Sequence, residues 1–148
     1  MEINVKSSDG RLNIKVSSKR LEANLLKAQQ YLDNAVLTDC NDYIPFKNGK
    51  LRQNGILHTV IGSGVVEYNT PYAHYQYEGE KYVDPVYHCA GFMIPKKGYR
   101  SRKGVPKVPS GQPLRYTTAG TGSHWFETAK AVNGKKWIKE VKRIAGGK

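Results

Sequence analysis

Leu21, Leu25, Ala28, Leu32, Ala35 and Val36 recur at three- and four-residue spacing, and this period constrains the fold more than any other feature of the chain. Residues spaced in this way share one side of an α-helix, because 3.6 residues complete a turn. Lys19, Arg20, Glu22, Lys27, Gln29, Gln30 and Asp33 take the other side. Ser17 or Ser18 can cap the start, since a serine hydroxyl accepts from the free N–H groups of a first turn. Pro45 cannot continue a helix, because it has no N–H to donate and its ring clashes with the preceding turn. The spacing therefore predicts a helix over residues 18–40 that ends between Asp39 and Asp42.

The segments on either side read as β-structure. Ile3 and Val5, then Asp9-Gly10, then Leu12, Ile14 and Val16 place apolar residues at every second position around a turn. That is a hairpin pattern, short enough to sit at a sheet edge or dock on a neighbour. Residues 46–68 combine the turn pairs Asn48-Gly49 and Asn54-Gly55 with Ile56 to Ile61, Gly62-Ser63-Gly64 and Val65 to Tyr68. Closely spaced turns joining β-branched runs predict an antiparallel meander. Residues 71–78 suit one or two helical turns with Pro71 at the first helical position. Residues 81–86 and 89–94 suit short extended pieces.

From Pro95 to Gly122 the composition shifts to Gly, Pro, Ser, Lys and Arg, which is too little apolar material for a core. This stretch is expected to form a long extended loop or arm. Ser123 can cap a last helical region in which Trp125, Phe126, Ala129 and Val132 share a stripe. Gly134 is expected to break it, and Trp137, Ile138, Val141 and Ile144 resume it, with Lys135, Lys136, Lys139, Lys142 and Arg143 outside. No internal repeat is present. The pattern as a whole predicts one α+β domain over residues 1–148. In it an antiparallel sheet is packed by the long N-terminal-half helix and by the C-terminal helix, and residues 95–122 form a long basic arm.

Charge narrows the partners. The chain carries a formal +12, and the excess lies in the second half: nine Lys/Arg against seven Asp/Glu in residues 1–74, but fifteen against five in residues 75–148. A field of this sign favours polyanions, although charge by itself also serves solubility. Ten tyrosines against three phenylalanines point to rings packed on one side with their hydroxyls wet. Met1 runs directly into Glu2 and a polar segment, which is not a signal-peptide pattern, and no apolar run approaches the ~20 residues of a membrane helix. The expectation is a soluble chain, without a membrane partner, made in a reducing cytoplasm, with Cys40 and Cys89 as free thiols.

No catalytic motif stands out, so no catalytic residue, metal ligand or cofactor is expected. His74 and His88-Cys89 lack the paired spacing of a zinc site, and His58 and His74 read as ordinary packed or surface histidines. Glu78, Glu80 and Asp84 lie close together beside Lys81, which suggests surface pairing more than acid–base chemistry. Gly62-Ser63-Gly64 lacks the Gly-Lys-Ser/Thr ending of a phosphate loop and reads as a tight turn. The arm carries the clearest candidate site: Lys96, Lys97, Arg100, Arg102, Lys103 and Lys107 fall within twelve residues, with Tyr99 among them. Mobile cations at this density can neutralise phosphates without reading sequence, or can pair with acidic patches on a neighbouring subunit.

Four further segments carry a family likeness. Gly111-Gln112-Pro113-Leu114-Arg115-Tyr116-Thr117-Thr118, Gly120 to Lys130 and Trp137-Ile138, together with Tyr72-Ala73-His74-Tyr75-Gln76-Tyr77-Glu78-Gly79 upstream, resemble the minor capsid proteins of tailed phages of Gram-positive bacteria. Those proteins are related to head–tail connector and tail-completion proteins. The likeness extends over roughly residues 65–140. It implies a non-enzymatic virion protein, made in the host cytoplasm and assembled as a homo-oligomeric ring at the neck, around the DNA channel between head and tail. Its implied partners are its own copies, other head-completion and tail proteins, and double-stranded DNA through non-specific charge. Tyr72, Tyr75 and Tyr77 read as core or interface and Trp125, Phe126 and Trp137, at helical spacing, as core; the likeness implies that Trp125 and Phe126 anchor the last helix and that Pro113 to Tyr116, with Leu114 and Tyr116 as anchors, lead the arm back to the body. The competing reading is a cytoplasmic nucleic-acid-binding protein that uses the basic 96–107 arm.

Overall fold

A computed structural model describes residues 2–6 and 13–146. The elements run β1 (Glu2–Lys6), β2 (Asn13–Ser17), α1 (Lys19–Cys40), α2 (Lys50–His58), α3 (Ala73–Glu78), β3 (Glu80–Val83), β4 (Phe92–Ile94), β5 (Gly98–Arg100), β6 (Val108–Pro113) and α4 (Trp125–Ala145). The class is α+β. The described strands pair as three antiparallel two-stranded sheets, β1–β2, β3–β6 and β4–β5, and the core lies where α1 packs against α4.

The first helix follows the sequence closely. Ser18 occupies the N-cap position and Asn41 the C-cap, and the Ser18 hydroxyl donates to Glu22 at 2.5 Å. The stripe, however, is buried only from Ala28 onward. Ala28, Leu37 and Cys40 are enclosed, Leu32, Ala35 and Val36 pack against the core, and Leu21 and Leu25 are about half exposed. β1 and β2 pair in the expected hairpin sense, with Ile3 opposite Val16 and Val5 opposite Ile14. The Asp9-Gly10 turn lies outside the described residues.

Residues 46–68 do not form a meander. Residues 50–58 are helical, and residues 59–72 contain no described strand. The two Asn-Gly pairs have other uses. Asn48 accepts the Lys50 N–H at 3.2 Å, and Gly49 takes φ +74° at the N-cap position, so this pair starts a helix instead of turning a hairpin. Gly55 sits inside α2 with Leu51 one turn before it, both buried. A Cβ on Gly55 would lie 2.4 Å from the Tyr68 ring. Burial of the Leu51–Gly55 side against the aromatic core overrides the β-propensity of Ile56 to Ile61, because context outweighs a preference of this size.

The C-terminal helix departs from expectation at both of its glycine and serine signals. His124, with φ +49°, holds the N-cap position without a side-chain cap, so Ser123 is not the cap. Gly134 lies within one continuous helix, since a single glycine costs only ~1 kcal/mol against alanine and the flanking tryptophans are anchored. Trp125 and Trp137 are 2% and 4% exposed, and the Trp137 indole N–H donates to Asp39 Oδ2 at 2.7 Å. Burial of rings this large stabilises the helix by about 3–5 kcal/mol each relative to alanine. The short α3 begins at Ala73 after Tyr72, two residues past the predicted start at Pro71.

Candidate functional site

The 95–122 stretch is tied to the body along both of its limbs. β4 and β5 form a hairpin in which Ile94 pairs with Gly98, and the Lys97 N–H donates to the Ile94 carbonyl at 3.1 Å. Pro95 supplies the restricted φ of the turn's second residue, while Lys96 takes φ +65°, the conformation a type II turn requires at its third. Lys96 and Lys97 thus stand at the exposed hairpin tip. The returning limb, β6, pairs with β3 through Tyr82–Pro109 and Val83–Val108. The Ser110 hydroxyl donates to the Lys81 carbonyl at 2.7 Å, and the Gly111 N–H donates to Glu80 at 2.6 Å.

Asp84 holds the base of this assembly. It is 5% exposed. One carboxylate oxygen accepts from the Val86 and Tyr87 N–H groups at 2.8 and 3.1 Å. The two oxygens together receive Arg102 in a fork, Nε at 2.5 Å and Nη2 at 2.7 Å. The Arg102 hydrogen bond holds the Asp84 carboxyl well below the usual carboxylate range, reinforced by the two backbone donors. The same guanidinium lies 5.1 Å from the Tyr87 ring centroid, and Tyr87 meets Phe92 edge-on at 5.1 Å. The sequence suggested surface pairing of Glu78, Glu80 and Asp84 beside Lys81. The structure gives Asp84 to Arg102 and the Glu80 side chain to a backbone N–H.

The six arm cations therefore divide. Arg102 is committed to Asp84 and is half-buried. Lys96, Lys97, Arg100 and Lys103 are exposed, and Lys107 is intermediate. Arg100 donates to the Tyr99 carbonyl at 3.1 Å, which leaves its remaining donors facing solvent, and Tyr99 is exposed beside it.

The aromatic candidates also divide. Trp125 is met edge-on by Tyr77 at 4.7 Å and by Tyr68 at 5.6 Å, and the Tyr77 hydroxyl donates to Glu127. Burial pushes the Tyr68 and Tyr77 hydroxyls up in pKa, and the bond to Glu127 adds to the effect at Tyr77. Tyr75 packs on Tyr82 at 4.7 Å. The half-buried Tyr116 donates to the Gln76 carbonyl at 2.7 Å, next to the half-buried Leu114, whose N–H donates to the Gly79 carbonyl. Tyr72 and Phe126 keep about two fifths of their surface in water, and Phe126 stacks on Trp137 at 6.5 Å.

One constellation escaped the sequence reading. Asp33 is 3% exposed and accepts from the Gly62 and Gly64 N–H groups at 2.7 and 3.0 Å and from Gln29 at 2.6 Å. The glycine turn does cradle an anion, but the anion is the chain's own carboxylate. This latch holds residues 60–65 on α1, where Leu21, Leu25, Leu26, Val60, Ile61 and Val65 all remain 41–70% exposed. The only advance signal was an acidic residue in a helical register one step from an apolar stripe, which pattern alone assigns to solvent.

Among the described residues no group of three or more His, Cys, Asp or Glu side chains is placed to hold a metal ion. His58 and His74 are exposed, and Cys40 and Cys89 are free thiols. No described helix is long and apolar enough to cross a membrane. A family model described as minor capsid protein matches residues 3–108. The match includes Tyr72–Gly79 and all six arm cations from Lys96 to Lys107, and it ends before the Gly111–Lys130 segment. No curated protein and no solved structure matches the chain.

Proposed function

The chain belongs to the family of minor capsid proteins, and from that premise we propose that it is a neck subunit of a tailed phage, assembling as a ring of identical copies around the DNA channel between head and tail. Membership makes it a phage structural protein that takes its place in the virion among other virion proteins. The family match over more than half of the chain is the observation that carries this reading, and the surface supports it. A single protomer exposes Leu21, Leu25 and Leu26 on α1, and Val60, Ile61 and Val65 on the loop whose Gly62 lies against Leu26. Apolar side chains gathered in this way are costly in water and natural at a subunit contact. Lys96, Lys97 and Arg100 stand on the other feature a ring would use, the exposed β4–β5 hairpin, with Lys103 just beyond it, and together they suit DNA or an acidic neighbour. The chain acts by position and charge, without catalysis.

Native mass spectrometry of the purified protein without DNA tests the proposal. A closed oligomer of one defined order is expected, and Leu25→Asp with Ile61→Asp should reduce it to monomer. A wild-type protein that stays monomeric at tens of micromolar, and is absent from density at the neck of intact particles, would overturn it.

A further inference from the structure

The second half of α4 carries a charged feature that the arm does not account for. Lys135, Lys136, Lys139, Lys142 and Arg143 are all exposed. At 3.6 residues per turn they fall within an arc of about 120°. Trp137, Val141 and Ile144 occupy the opposite side, with Trp137 4% exposed, so anchoring that side turns the cations outward. Glu140 bridges Arg143 at 2.8 Å. Among the described residues no carboxylate bridges Lys135, Lys136, Lys139 or Lys142.

This arrangement works against the helix that carries it. Lys135 and Lys139, Lys136 and Lys139, and Lys139 and Lys142 are like-charged neighbours three or four residues apart. Each such pair opposes helix formation by a few tenths of a kcal/mol. Only Lys142 and Arg143 lie in the last turn, where the helix dipole favours cations. An anion laid along the ridge would attract each of these cations and so offset their mutual repulsion.

We propose that this lysine ridge binds the phosphate backbone of duplex DNA without reading its bases. The ridge rises about 12 Å from Lys135 to Arg143 at 1.5 Å per residue, a length over which duplex DNA presents about seven phosphate charges. Lysines are compact point charges suited to a diffuse phosphate field, and the ridge has no aromatic ring on which a single strand could stack. An anionic membrane is a poorer fit, since an interfacial helix needs its apolar side free for the lipid, and here Trp137 is packed against Asp39 and the core. The ridge shares no residue with the 96–107 arm and stands whether or not the arm touches DNA.

The test compares three proteins on one 30-base-pair duplex of arbitrary sequence, by fluorescence anisotropy across a salt series. They are the wild type, a ridge variant (Lys135→Gln, Lys136→Gln, Lys139→Gln, Lys142→Gln) and an arm variant (Lys96→Gln, Lys97→Gln, Arg100→Gln, Lys103→Gln). Each phosphate contact contributes about 0.9 to the slope of log K against log salt. The ridge variant should therefore lose about 3 to 4 from the slope, while its circular dichroism is unchanged and its oligomer, by native mass spectrometry, remains intact. Pairwise variants, each expected to lose about 2, serve if the fourfold change disturbs folding. An unchanged slope in the ridge and pairwise variants, or a wild type that binds an acidic protein but no duplex at 50 mM salt, would overturn the ridge and leave ring assembly untouched. Loss of the oligomer in wild type would overturn the assembly reading alone.

Discussion

Gly55→Ala separates local helix propensity from tertiary packing. In an unobstructed helix interior, alanine in place of glycine stabilises by about 0.8–1.0 kcal/mol. At Gly55 the new Cβ would lie 2.4 Å from Tyr68 Cε1 and 2.9 Å from Cδ1, so the ring must retreat by about 1 Å to reach ordinary contact. It has little freedom to do so, since Tyr68 meets Trp125 edge-on at 5.6 Å and Trp125 is 2% exposed. Overpacking of this kind costs about 1–3 kcal/mol, which exceeds the propensity gain. The expected net loss is up to about 2 kcal/mol, or a fall in Tm of up to roughly 8 °C for a domain of this size. Thermal and urea denaturation, read by near-ultraviolet circular dichroism, measure it. In a Tyr68→Ala background the clash is gone, and the same substitution should become stabilising. A more stable Gly55→Ala protein, or an equal loss in both backgrounds, would refute the packing argument.

Two further outcomes follow from the titratable groups. Asp84 has a folded pKa held below its unfolded value by Arg102 and two backbone N–H groups. Its contribution to stability is present above the unfolded value near ~3.9 and is lost as pH falls through the lower folded value. Hydrogen-exchange protection at Val86 and Tyr87 should persist to about pH 4 and fall away below it, and in Asp84→Asn it should be low at every pH; unchanged protection in that variant would remove Asp84 from its role as the clasp. Burial pushes the Cys40 thiol up to about 12, and since the thiolate is the reactive form, a thiol reagent at pH 8 should modify only Cys89 in the folded protein and both cysteines in denaturant. Rapid modification of Cys40 without unfolding would contradict its burial.

The sequence by itself determined the elements whose information is local. The period from Leu21 to Val36 and the proline at 45 set the first helix, alternation around residues 3–16 set the first strand pair, and tryptophan spacing set the last helical region, though not its continuity through Gly134, because each pattern repeats within a few turns of chain. Charge is a sum over residues, so the exposed cations of the arm and of α4 were also legible in advance, as was the family. Tertiary structure decided the rest. Residues 50–58 became a helix because Leu51 and Gly55 found an aromatic wall contributed by Tyr68, and no local preference encodes that distance. Arg102 left the set of free cations because Asp84, eighteen residues earlier, was brought to its fork. Asp33 moved from the solvent side of a helix to the interior because two glycine N–H groups arrived from residues 62–64. In each case a buried polar or close-packed group was satisfied by a partner remote in sequence, and such pairings exist only once the chain has folded.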